Sequence, residues 1–235
     1  MPNENHNARI NPSIFNSGYW ELIGIKFFLT NFLKTKKISG TIIDIGAQYK
    51  PYYPLYSKYF DKIIIQDIVD VSDVDICCDA HDMPLEDASV DFCLLTQVLE
   101  HSQDFQGIIS ECFRILKPGG YILITVPSMF PIHGYPFDCW RFMPDGLKFS
   151  LSSFQDVKIS PLMSFSQCWL VTNQYFIFSL LEKFFGAGFI INKVIKPMVA
   201  LTFNLVLKLI NPFEKLLFKK NFDAFQISIG AYGKK

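Results

Sequence analysis

The sequence lacks several features by which other protein classes are recognised. Lys and Arg number 22 and Asp and Glu number 22 among 235 residues, so the formal net charge is zero. This balance argues against broad electrostatic binding to nucleic acid, because such binding depends on a basic surface. The six cysteines form no Cys-x-x-Cys pair, and several lie in apolar runs. This usage indicates reduced core cysteines of a cytosolic protein and argues against a zinc site.

Three further absences argue against other interpretations. The N-terminal stretch MPNENHNARINPS is polar, so a signal peptide is not expected. No apolar run reaches ~20 uninterrupted residues, and a membrane-spanning helix is therefore not the first interpretation. No G-x-G-x-x-G follows the first predicted strand, which counts against a nicotinamide-dependent oxidoreductase.

The chain is instead rich in apolar residues, since half of it is hydrophobic and 24 residues are Phe. The stretch TIIDIGAQYKP at 41–51 organises the predicted core, because an apolar strand leads into Asp44 and then into a small-residue turn at Gly46 and Ala47. Glycine permits positive φ and close approach of a ligand to the backbone. In an open α/β sheet, ligands bind outside the carboxyl ends of the strands, so this turn is a candidate ligand site.

Short apolar runs, typical of buried strands, alternate along the chain with segments whose apolar residues recur with helical periodicity. The predicted strands are 41–45, 62–66, 74–78, 90–96, 121–126 and 154–160. The predicted helices are 19–37, 52–60, 104–116 and 143–151. Strands that alternate with helices imply parallel pairing and right-handed crossovers, hence a doubly wound α/β sheet. The sequence KPGG at 117–120 predicts a stop and a turn before the fifth strand.

Four segments in this order resemble the class I S-adenosylmethionine-dependent methyltransferases, in particular the bacterial group with small Rossmann-like catalytic domains. The segments are IIDIGAQYKPY, IIIQD, CCDAHDMPLEDASVDFCLLTQVLEH and ECFRILKPGGYILITVP. Their order and spacing are more specific than any single segment, and the resemblance covers residues 41–161. Residues 225–235 resemble the antiparallel last strand of that fold. The resemblance implies a mostly parallel Rossmann-like sheet, methyl transfer as the activity and S-adenosyl-L-methionine as the cofactor.

The resemblance assigns the ends of the predicted strands to the cofactor. The expected cofactor-binding residues are Asp44, Gly46, Ala47 and Gln48 along the methionine portion, Asp67 at the ribose, Asp79, Ala80 and His81 beside the adenine, and Gln97 near the sulfonium. Asp67 suits its role because a carboxylate offers two acceptor oxygens to the ribose hydroxyls. The alternative is that Asp44, Asp67 and Asp79 only cap turns at the ends of strands.

One position departs from the family pattern. Gln48 stands where the family turn usually carries a second glycine, two positions after Gly46. Either the backbone avoids positive φ at Gln48, or the loop is reshaped around residues 49–51. Glu100 and His101, which follow the fourth strand, are interpreted as a helix start without chemistry in preference to a catalytic pair.

The loop after the fifth strand, residues 127–142, is dense in His, Asp, Trp and Arg. Methyl transfer is a direct displacement at an activated carbon, so the protein mainly aligns donor and acceptor. A hydroxyl acceptor gains from a general base, for which histidine is the usual residue at neutral pH. We expect His133 to be a catalytic base or to bind the acceptor, and the remaining three residues expected to shape the acceptor pocket are Asp138, Trp140 and Arg141. The alternative is a structural ion pair between Asp138 and Arg141.

The chain divides into three predicted regions. Residues 1–40 form a polar arm and a packing helix, residues 41–161 with 223–235 form the cofactor-binding domain, and residues 162–222 form an apolar helical insertion before the last strand. The insertion is interpreted as a lid over the acceptor site or as a homodimer contact. The alternative is a pair of helices that rest on a membrane surface and admit a lipid-linked acceptor.

Together these features predict methyl transfer to an oxygen of a small-molecule or glycan-type acceptor, by a cytoplasmic enzyme with or without membrane association. No metal and no nucleic-acid partner are expected. The alternative function is that of a non-catalytic protein that keeps the fold and binds a membrane or a partner. Gln48 and the apolar insertion favour this alternative, whereas acidic residues at three strand ends favour a cofactor pocket in use.

Overall fold

The computed structural model describes residues 8–133, 136–217 and 226–235. A seven-stranded sheet lies at its centre. In chain order the strands are β1 Thr41–Ile45, β2 Lys62–Asp67, β3 Ile76–Cys77, β4 Val90–Thr96, β5 Leu116–Pro127, β6 Gln155–Pro161 and β7 Ser228–Lys234. Across the sheet the order is β3-β2-β1-β4-β5-β7-β6, with parallel pairing from β3 to β5 and antiparallel pairing of β7 with β5 and β6. The predicted doubly wound, mostly parallel sheet with an antiparallel last strand is confirmed.

Six α-helices lie wholly within the described residues. They are α1 Tyr19–Lys36, α2 Tyr53–Tyr56, α3 Phe105–Ile115, α4 Pro144–Ser150, α5 Phe165–Phe185 and α6 Lys196–Leu217. Two 3₁₀ turns, Ser57–Tyr59 and Leu99–His101, and a π-helical segment, Ile191–Ile195, accompany them. The Asp104 side chain caps α3 by accepting from the Gly107 N–H at 2.9 Å. Such a cap satisfies a backbone donor that has no partner inside the helix.

The central strands are buried on both faces, which explains their continuous apolar sequence. Because alternate residues of a strand face opposite sides, β1 contributes to two cores. Ile43 and Ile45 of β1 pack in the core that contains α3, whereas Ile42 belongs to the core that contains α1. Phe92 of β4 stacks with Phe32 of α1 and with Phe60, at 5.5 Å between ring centroids in both pairs. The two cores hold the sheet between helices and fix the positions of the strand ends.

Two predicted strands differ in length by more than one residue from those observed. Strand β3 comprises only two residues, because the N–H of Val74 bonds to the carbonyl of Val71 in a turn. Strand β5 includes the KPGG segment that predicts a turn, because the Gly119 N–H donates to the Lys235 carbonyl at 2.8 Å. The last residue of the chain therefore extends the pairing of a segment that would otherwise end the strand.

The insertion before β7 forms α5 and α6, which pack against each other as a helical pair. Ser164 and Gln167 form a capping box at the start of α5. Asn204 of α6 is fully buried, and its Nδ2 donates to the backbone carbonyls of Ile14 and Asn16 at 2.7 and 3.0 Å. The helical pair is therefore bonded directly to the N-terminal segment of the chain.

The helical pair exposes much of its apolar surface. Four large side chains, which we call the apolar tip, are 66–76% exposed around the turn between the two helices, and they are Phe184, Phe185, Phe189 and Ile190. Within the described part of the chain, one helical segment, Ile191–Phe213, is long and apolar enough to cross a membrane by length and composition, with 17% of its window buried. One such helix is weak evidence of a span. An exposed apolar patch of this kind usually marks a contact with a partner or a membrane.

Gly24 lets α1 approach the residue after β6 more closely than a side chain would allow. A Cβ at this position would lie 2.1 Å from the carbonyl oxygen of Leu162. We predict that Gly24→Ala lowers the free energy of unfolding by about 1–3 kcal/mol, because the backbone at Leu162 cannot yield without shifting the sheet. Urea unfolding followed by circular dichroism measures the change.

Gly146→Ala in α4 is the matched control for this substitution. No described atom lies within 4 Å of a Cβ added at Gly146. Alanine has the higher helix propensity, so this variant should be as stable as the wild type or gain up to about 1 kcal/mol. Wild-type stability in Gly24→Ala would contradict the close packing of α1 on Leu162.

Candidate active site

A cavity of about 600 Å³ lies at the carboxyl ends of β1, β2 and β4. Its wall combines residues from these strand ends, from the loop after β5, from the N-terminal segment and from α5. The lining includes Arg9, Asn16, Ser17, Gly18, Glu21, Gly46, Gln48, Asp67, Thr96, Gln97, His101, Phe130, His133 and Tyr175. Residues predicted for the cofactor and a residue predicted for the acceptor therefore share one cavity.

The turn after β1 requires glycine at its first position. Gly46 has a φ of +67°, and a Cβ there would lie 2.7 Å from the Cγ2 atom of Val98. Strand β2 holds the turn in place, since the Gly46 N–H donates to Gln66 Oε1 at 3.2 Å and the Ala47 N–H donates to the Gln66 carbonyl at 3.1 Å. The glycine thus brings the end of β1 against the turn that follows β4, at the wall of the cavity.

Gln48, which replaces the usual second glycine, also lines the cavity. Its φ is not positive, whereas Lys50 two residues further on has a φ of +49°. Positive φ is costly for residues other than glycine, and here it falls on one residue outside the cavity wall. The loop is therefore reshaped around Lys50, and Gln48 is free of backbone strain.

Asp67 ends β2 and presents its carboxylate to the cavity. Its Oδ2 accepts from the Gln48 N–H and its Oδ1 accepts from the Val69 N–H, both at 3.0 Å. These bonds fix the side chain, and each carboxylate oxygen keeps a second lone pair. A fixed carboxylate with free acceptor capacity at the wall of a cavity fits the two neighbouring hydroxyls of a ribose.

Asp44 in β1 is fully buried and does not line the cavity. The Tyr56 hydroxyl donates to its Oδ2 at 2.7 Å, while no described residue donates to its Oδ1. Burial raises the pKa of Asp44 to about 7, and the bond from Tyr56 opposes this rise. A buried carboxylate oxygen without a donor, two residues before the Gly46 turn, is a group that the ammonium end of the cofactor would stabilise.

Asp79, Ala80 and His81 lie outside the cavity wall. The backbone N–H of His81 bonds to the Asp79 carboxylate and lowers its pKa, and the His81 ring pairs with the same carboxylate. The other ring nitrogen, Nε2, bonds to the Asp104 carbonyl at 2.8 Å. These contacts anchor the loop at the start of α3, and the role of the three residues beside the adenine stays a prediction.

Arg141 organises the loop after β5. Its donors reach, at 2.5–3.0 Å, both carboxylate oxygens of Asp138 and the backbone carbonyls of Phe130, Pro131 and Trp140. These five bonds use all five N–H groups of an arginine side chain. The guanidinium also holds the pKa of Asp138 well below its usual range. The structure thus contains the ion pair that the sequence offers as an alternative.

Asp138 in turn holds His133. Its Oδ2 accepts from the His133 backbone N–H at 2.9 Å and lies 3.5 Å from His133 Nδ1. On the other side of the loop, the Trp140 Nε1–H donates to the Ser102 carbonyl at 2.8 Å. His133 lines the cavity, whereas Asp138, Trp140 and Arg141 do not. Asp138, itself fixed by Arg141, therefore holds the histidine at the cavity wall.

Glu100 is a buried carboxylate beside this loop that the sequence pattern does not assign to the site. Its side chain is 0% exposed, and neither oxygen accepts a hydrogen bond from another described residue. Burial raises the pKa of Glu100 to about 8, although its own backbone N–H and the nearby Arg141 oppose the rise. The available sequence signal is its place just beyond the carboxyl end of β4, where ligands bind in such sheets.

The N-terminal segment adds charged groups that sequence reasoning missed. Arg9 and Glu21 both line the cavity. The Ser228 hydroxyl donates to Glu21, burial raises the pKa of Glu21, and the bond from Ser228 and the charge of Arg9 oppose that rise. No local pattern marks these two residues, because the chain brings them over the sheet from outside the segments that carry the family resemblance.

A Rossmann-like sheet with a glycine turn after β1, an acidic residue ending β2 and a cavity over both defines the fold class. A family model described as a methyltransferase domain matches residues 54–124. A protein of Mycolicibacterium smegmatis named "Probable S-adenosylmethionine-dependent methyltransferase" is 49% identical over 47 residues, 20% of this chain and 18% of that protein. A protein of Mycobacterium tuberculosis with a similar name is 38% identical over 47 residues, 20% of this chain and 17% of that protein. The chain thus matches less than a fifth of the length of these curated relatives.

Solved structures share the fold at low sequence identity. An S-adenosylmethionine-dependent methyltransferase from Archaeoglobus fulgidus has a TM-score of 0.55 at 16% identity, over 97% of each chain. A Haemonchus contortus phosphoethanolamine N-methyltransferase, in complex with phosphomonomethylethanolamine and S-adenosylhomocysteine, has a TM-score of 0.55 at 14% identity, over 98% of this chain and 59% of that one. Residues 54–124 are therefore similar to a methyltransferase domain, and the whole chain shares the fold of S-adenosylmethionine-dependent methyltransferases. The predicted fold is confirmed, and the comparisons support the predicted family and cofactor.

We predict that Asp44 makes the stability of the fold depend on pH. Because burial raises its pKa from 3.8 to about 7, the folded protein binds more protons than the unfolded chain between these values. The free energy of unfolding therefore falls as pH rises through this range, by at most about 1.4 kcal/mol per pH unit. Urea unfolding of the wild type and of Asp44→Asn, from about pH 5 to about pH 8, should show the wild type losing more stability.

Tyr56→Phe tests the same titration by removing the hydroxyl that donates to Asp44. This variant lacks the bond that stabilises the charged carboxylate, so its stability should fall with pH more steeply than that of the wild type. If the free energies of unfolding of the wild type and of Asp44→Asn differ by the same amount over the whole pH range, Asp44 does not titrate as described.

Proposed function

We propose that this chain transfers the methyl group of S-adenosylmethionine to an oxygen of a small-molecule or glycan-type acceptor. The observation that carries the proposal is the shared cavity, whose wall contains Gly46 and Asp67 together with His101 and His133. Its volume of about 600 Å³ lies within the range of cavities that bind cofactors and small molecules. Donor and acceptor can therefore meet in one cavity.

On the cofactor side, Asp67 takes the ribose hydroxyls and the turn at Gly46 takes the methionine portion. Gln97 lies beside the sulfonium. It has a φ of +58°, and its N–H donates to the Thr125 carbonyl at 2.8 Å. A residue other than glycine held at positive φ supports a functional position, because strained residues concentrate at ligand sites.

On the acceptor side, His133 is the residue that meets the acceptor. Its ring packs edge-to-face on Phe130, with 5.3 Å between centroids, and both line the cavity. When bound, the cofactor supplies an electrophilic methyl group, so the chain needs mainly to align an acceptor oxygen and to remove its proton. His133 binds this hydroxyl or takes its proton, while Asp138 and Arg141 keep the histidine in place.

The lining of the cavity supports a small acceptor. The N-terminal residues and Tyr175 of α5 line it on sides away from the sheet. Arg9 and Glu21 make its wall polar and of mixed charge, which suits a hydroxylated molecule better than an apolar one. The Haemonchus contortus neighbour is named with a small acceptor, phosphomonomethylethanolamine, which supports the same size class.

The alternative function is that of a non-catalytic protein of this fold. The fold alone does not select methyl transfer, since the [4+2]-cyclase SpnF has a TM-score of 0.54 to this chain at 16% identity, over 89% of this chain and 81% of that one. The glycine turn and Asp67 favour the catalytic function, because the carboxylate lies at the cavity wall and keeps acceptor capacity for the ribose hydroxyls beyond its two backbone contacts. A direct measurement of cofactor binding separates the two functions.

Calorimetric titration with S-adenosylmethionine, and separately with S-adenosylhomocysteine, tests the cofactor side. We expect micromolar binding of both. Asp67→Ala should weaken binding at least about 100-fold, because two charge-assisted hydrogen bonds to the ribose are lost. Asp61→Ala is the matched control, since this exposed aspartate lies before the amino end of β2 and should leave the affinity unchanged. No binding of either compound by folded wild-type protein would favour the non-catalytic function.

We propose further that the apolar tip contacts a membrane surface. Lys183 and Lys193 flank the tip on both sides. Exposed aromatic side chains next to lysines are typical of elements that enter the interface of an anionic bilayer. Such contact would bring a lipid-linked acceptor towards α5, whose Tyr175 lines the cavity. The competing interpretations are a lid over the site and a homodimer contact.

Flotation of the full-length protein with anionic liposomes tests membrane contact. We expect the wild type to float and a variant combining Phe184→Ser, Phe185→Ser and Phe189→Ser to stay at the bottom of the gradient. Phe149→Ser is the matched control, since Phe149 is 81% exposed on α4, away from the tip, and should float like the wild type. A wild type that does not float would remove the proposal, and sedimentation analysis would then test the homodimer.

A further inference from the structure

Glu100, His101 and His133 form a cluster beside the cavity. Their ligand atoms lie within 4.8 Å of one another, and His101 Nε2 is 3.8 Å from Glu100 Oε1. Ligand atoms that bind one ion at about 2.0–2.2 Å in tetrahedral geometry lie about 3.3–3.6 Å apart. The three groups therefore need to approach one another by up to about 1.5 Å to hold an ion, within the range of side-chain motion.

Both imidazole rings are held from behind by oxygen acceptors. His101 Nδ1 lies 2.6 Å from the Phe137 carbonyl oxygen, and because a carbonyl only accepts, this nitrogen carries the proton. His133 Nδ1 is held in the same way by the Pro131 carbonyl at 3.2 Å and by the Asp138 carboxylate at 3.5 Å. Nε2 of each ring is then the nitrogen with a free lone pair. Histidines that bind metals almost always have such a partner behind the ring.

The carboxylate of Glu100 is a second, independent observation. It is fully buried, and no other described residue donates a hydrogen bond to it. Buried charges are normally paired or coordinate a metal. The nearby guanidinium of Arg141 directs all five of its N–H groups to other acceptors, and its charge is matched by Asp138. The hydrogen-bond partner that this carboxylate needs is therefore missing from the side chains that the structure describes.

We propose that Glu100, His101 and His133 bind a divalent metal ion at the acceptor side of the cavity. Two imidazole nitrogens and one carboxylate suit ions such as Zn²⁺, Co²⁺ or Mn²⁺ better than Mg²⁺, which prefers oxygen ligands. Three protein ligands leave coordination positions open for a further ligand. The sequence suggests no metal, because its cysteines form no zinc-type pairs, and only the fold brings these three residues together.

The catalytic role of the ion rests on the proposed methyl transfer. An acceptor hydroxyl at an open position of the ion has a lowered pKa and loses its proton to solvent water. Its oxygen then forms a bond to the methyl carbon, the carbon–sulfur bond of the sulfonium breaks, and a neutral thioether leaves. Of the two roles proposed for His133, binding the acceptor and taking its proton, this arrangement selects the first, because His133 acts on the acceptor through the ion.

Titration of chelator-treated, full-length protein with Co²⁺ tests the site without any activity assay. We expect stoichiometric Co²⁺ to give visible d–d absorption that Zn²⁺ abolishes by displacement. Glu100→Gln and His133→Ala should each weaken Co²⁺ binding at least about tenfold. Glu182→Gln is the matched control, because Glu182 is an exposed residue of α5 that pairs with Lys196. Its Co²⁺ affinity should equal that of the wild type.

Asp67→Ala separates this proposal from the proposed function. It should lose cofactor binding and keep Co²⁺ binding, so a failure on the cofactor side leaves the metal result intact. Absence of Co²⁺ and Zn²⁺ binding by folded wild type at millimolar metal would overturn the proposal. Equal Co²⁺ affinity in the wild type and in His133→Ala would also overturn it. If circular dichroism shows that Glu100→Gln does not fold, His133→Ala alone provides the test, because His133 is exposed on a loop.

Discussion

The parallel pairing of β1 with β2 and with β4 is the constraint on which the site depends. The two registers place Ile45 beside both Gln66 and Leu95, so the turns after these strands meet at one edge of the sheet. The turns after β1 and β4 approach each other closely at Gly46, because no side chain fits between Gly46 and Val98. Every other group of the cavity, from the N-terminal segment to α5, is assembled around that edge.

Sequence reasoning finds those residues of the cavity wall whose signal is local. Gly46 and Asp67 each follow an apolar strand, and the spacing between the strands marks both as strand-end residues. Glu100, Arg9 and Glu21 carry no such mark, because their place in the site depends on burial and on partners from other parts of the chain. The fold shows the same difference between local and non-local signals. The spacing of apolar residues in α3 predicts that helix, whereas the pairing of KPGG with the last residue depends on a neighbour across the sheet.

The contacts of Arg141 favour a different role from the one that its residue type suggests. An arginine beside an acceptor pocket suggests direct recognition of an anionic or hydroxylated ligand. Here its five donors are all engaged within its own loop, and its charge is matched by Asp138. These contacts favour a positioning role, and they leave Arg9, on the wall of the cavity, as a cationic side chain that can meet a ligand directly.

The buried amide of Asn204 joins two parts of the molecule that are far apart in the chain. It holds the carbonyls of Ile14 and Asn16, and Asn16 is itself part of the cavity wall. A displacement of helix α6 would therefore either break these two bonds or move the rim with it. The outer surface of the helical pair and the entrance of the cavity are thus connected through one buried side chain.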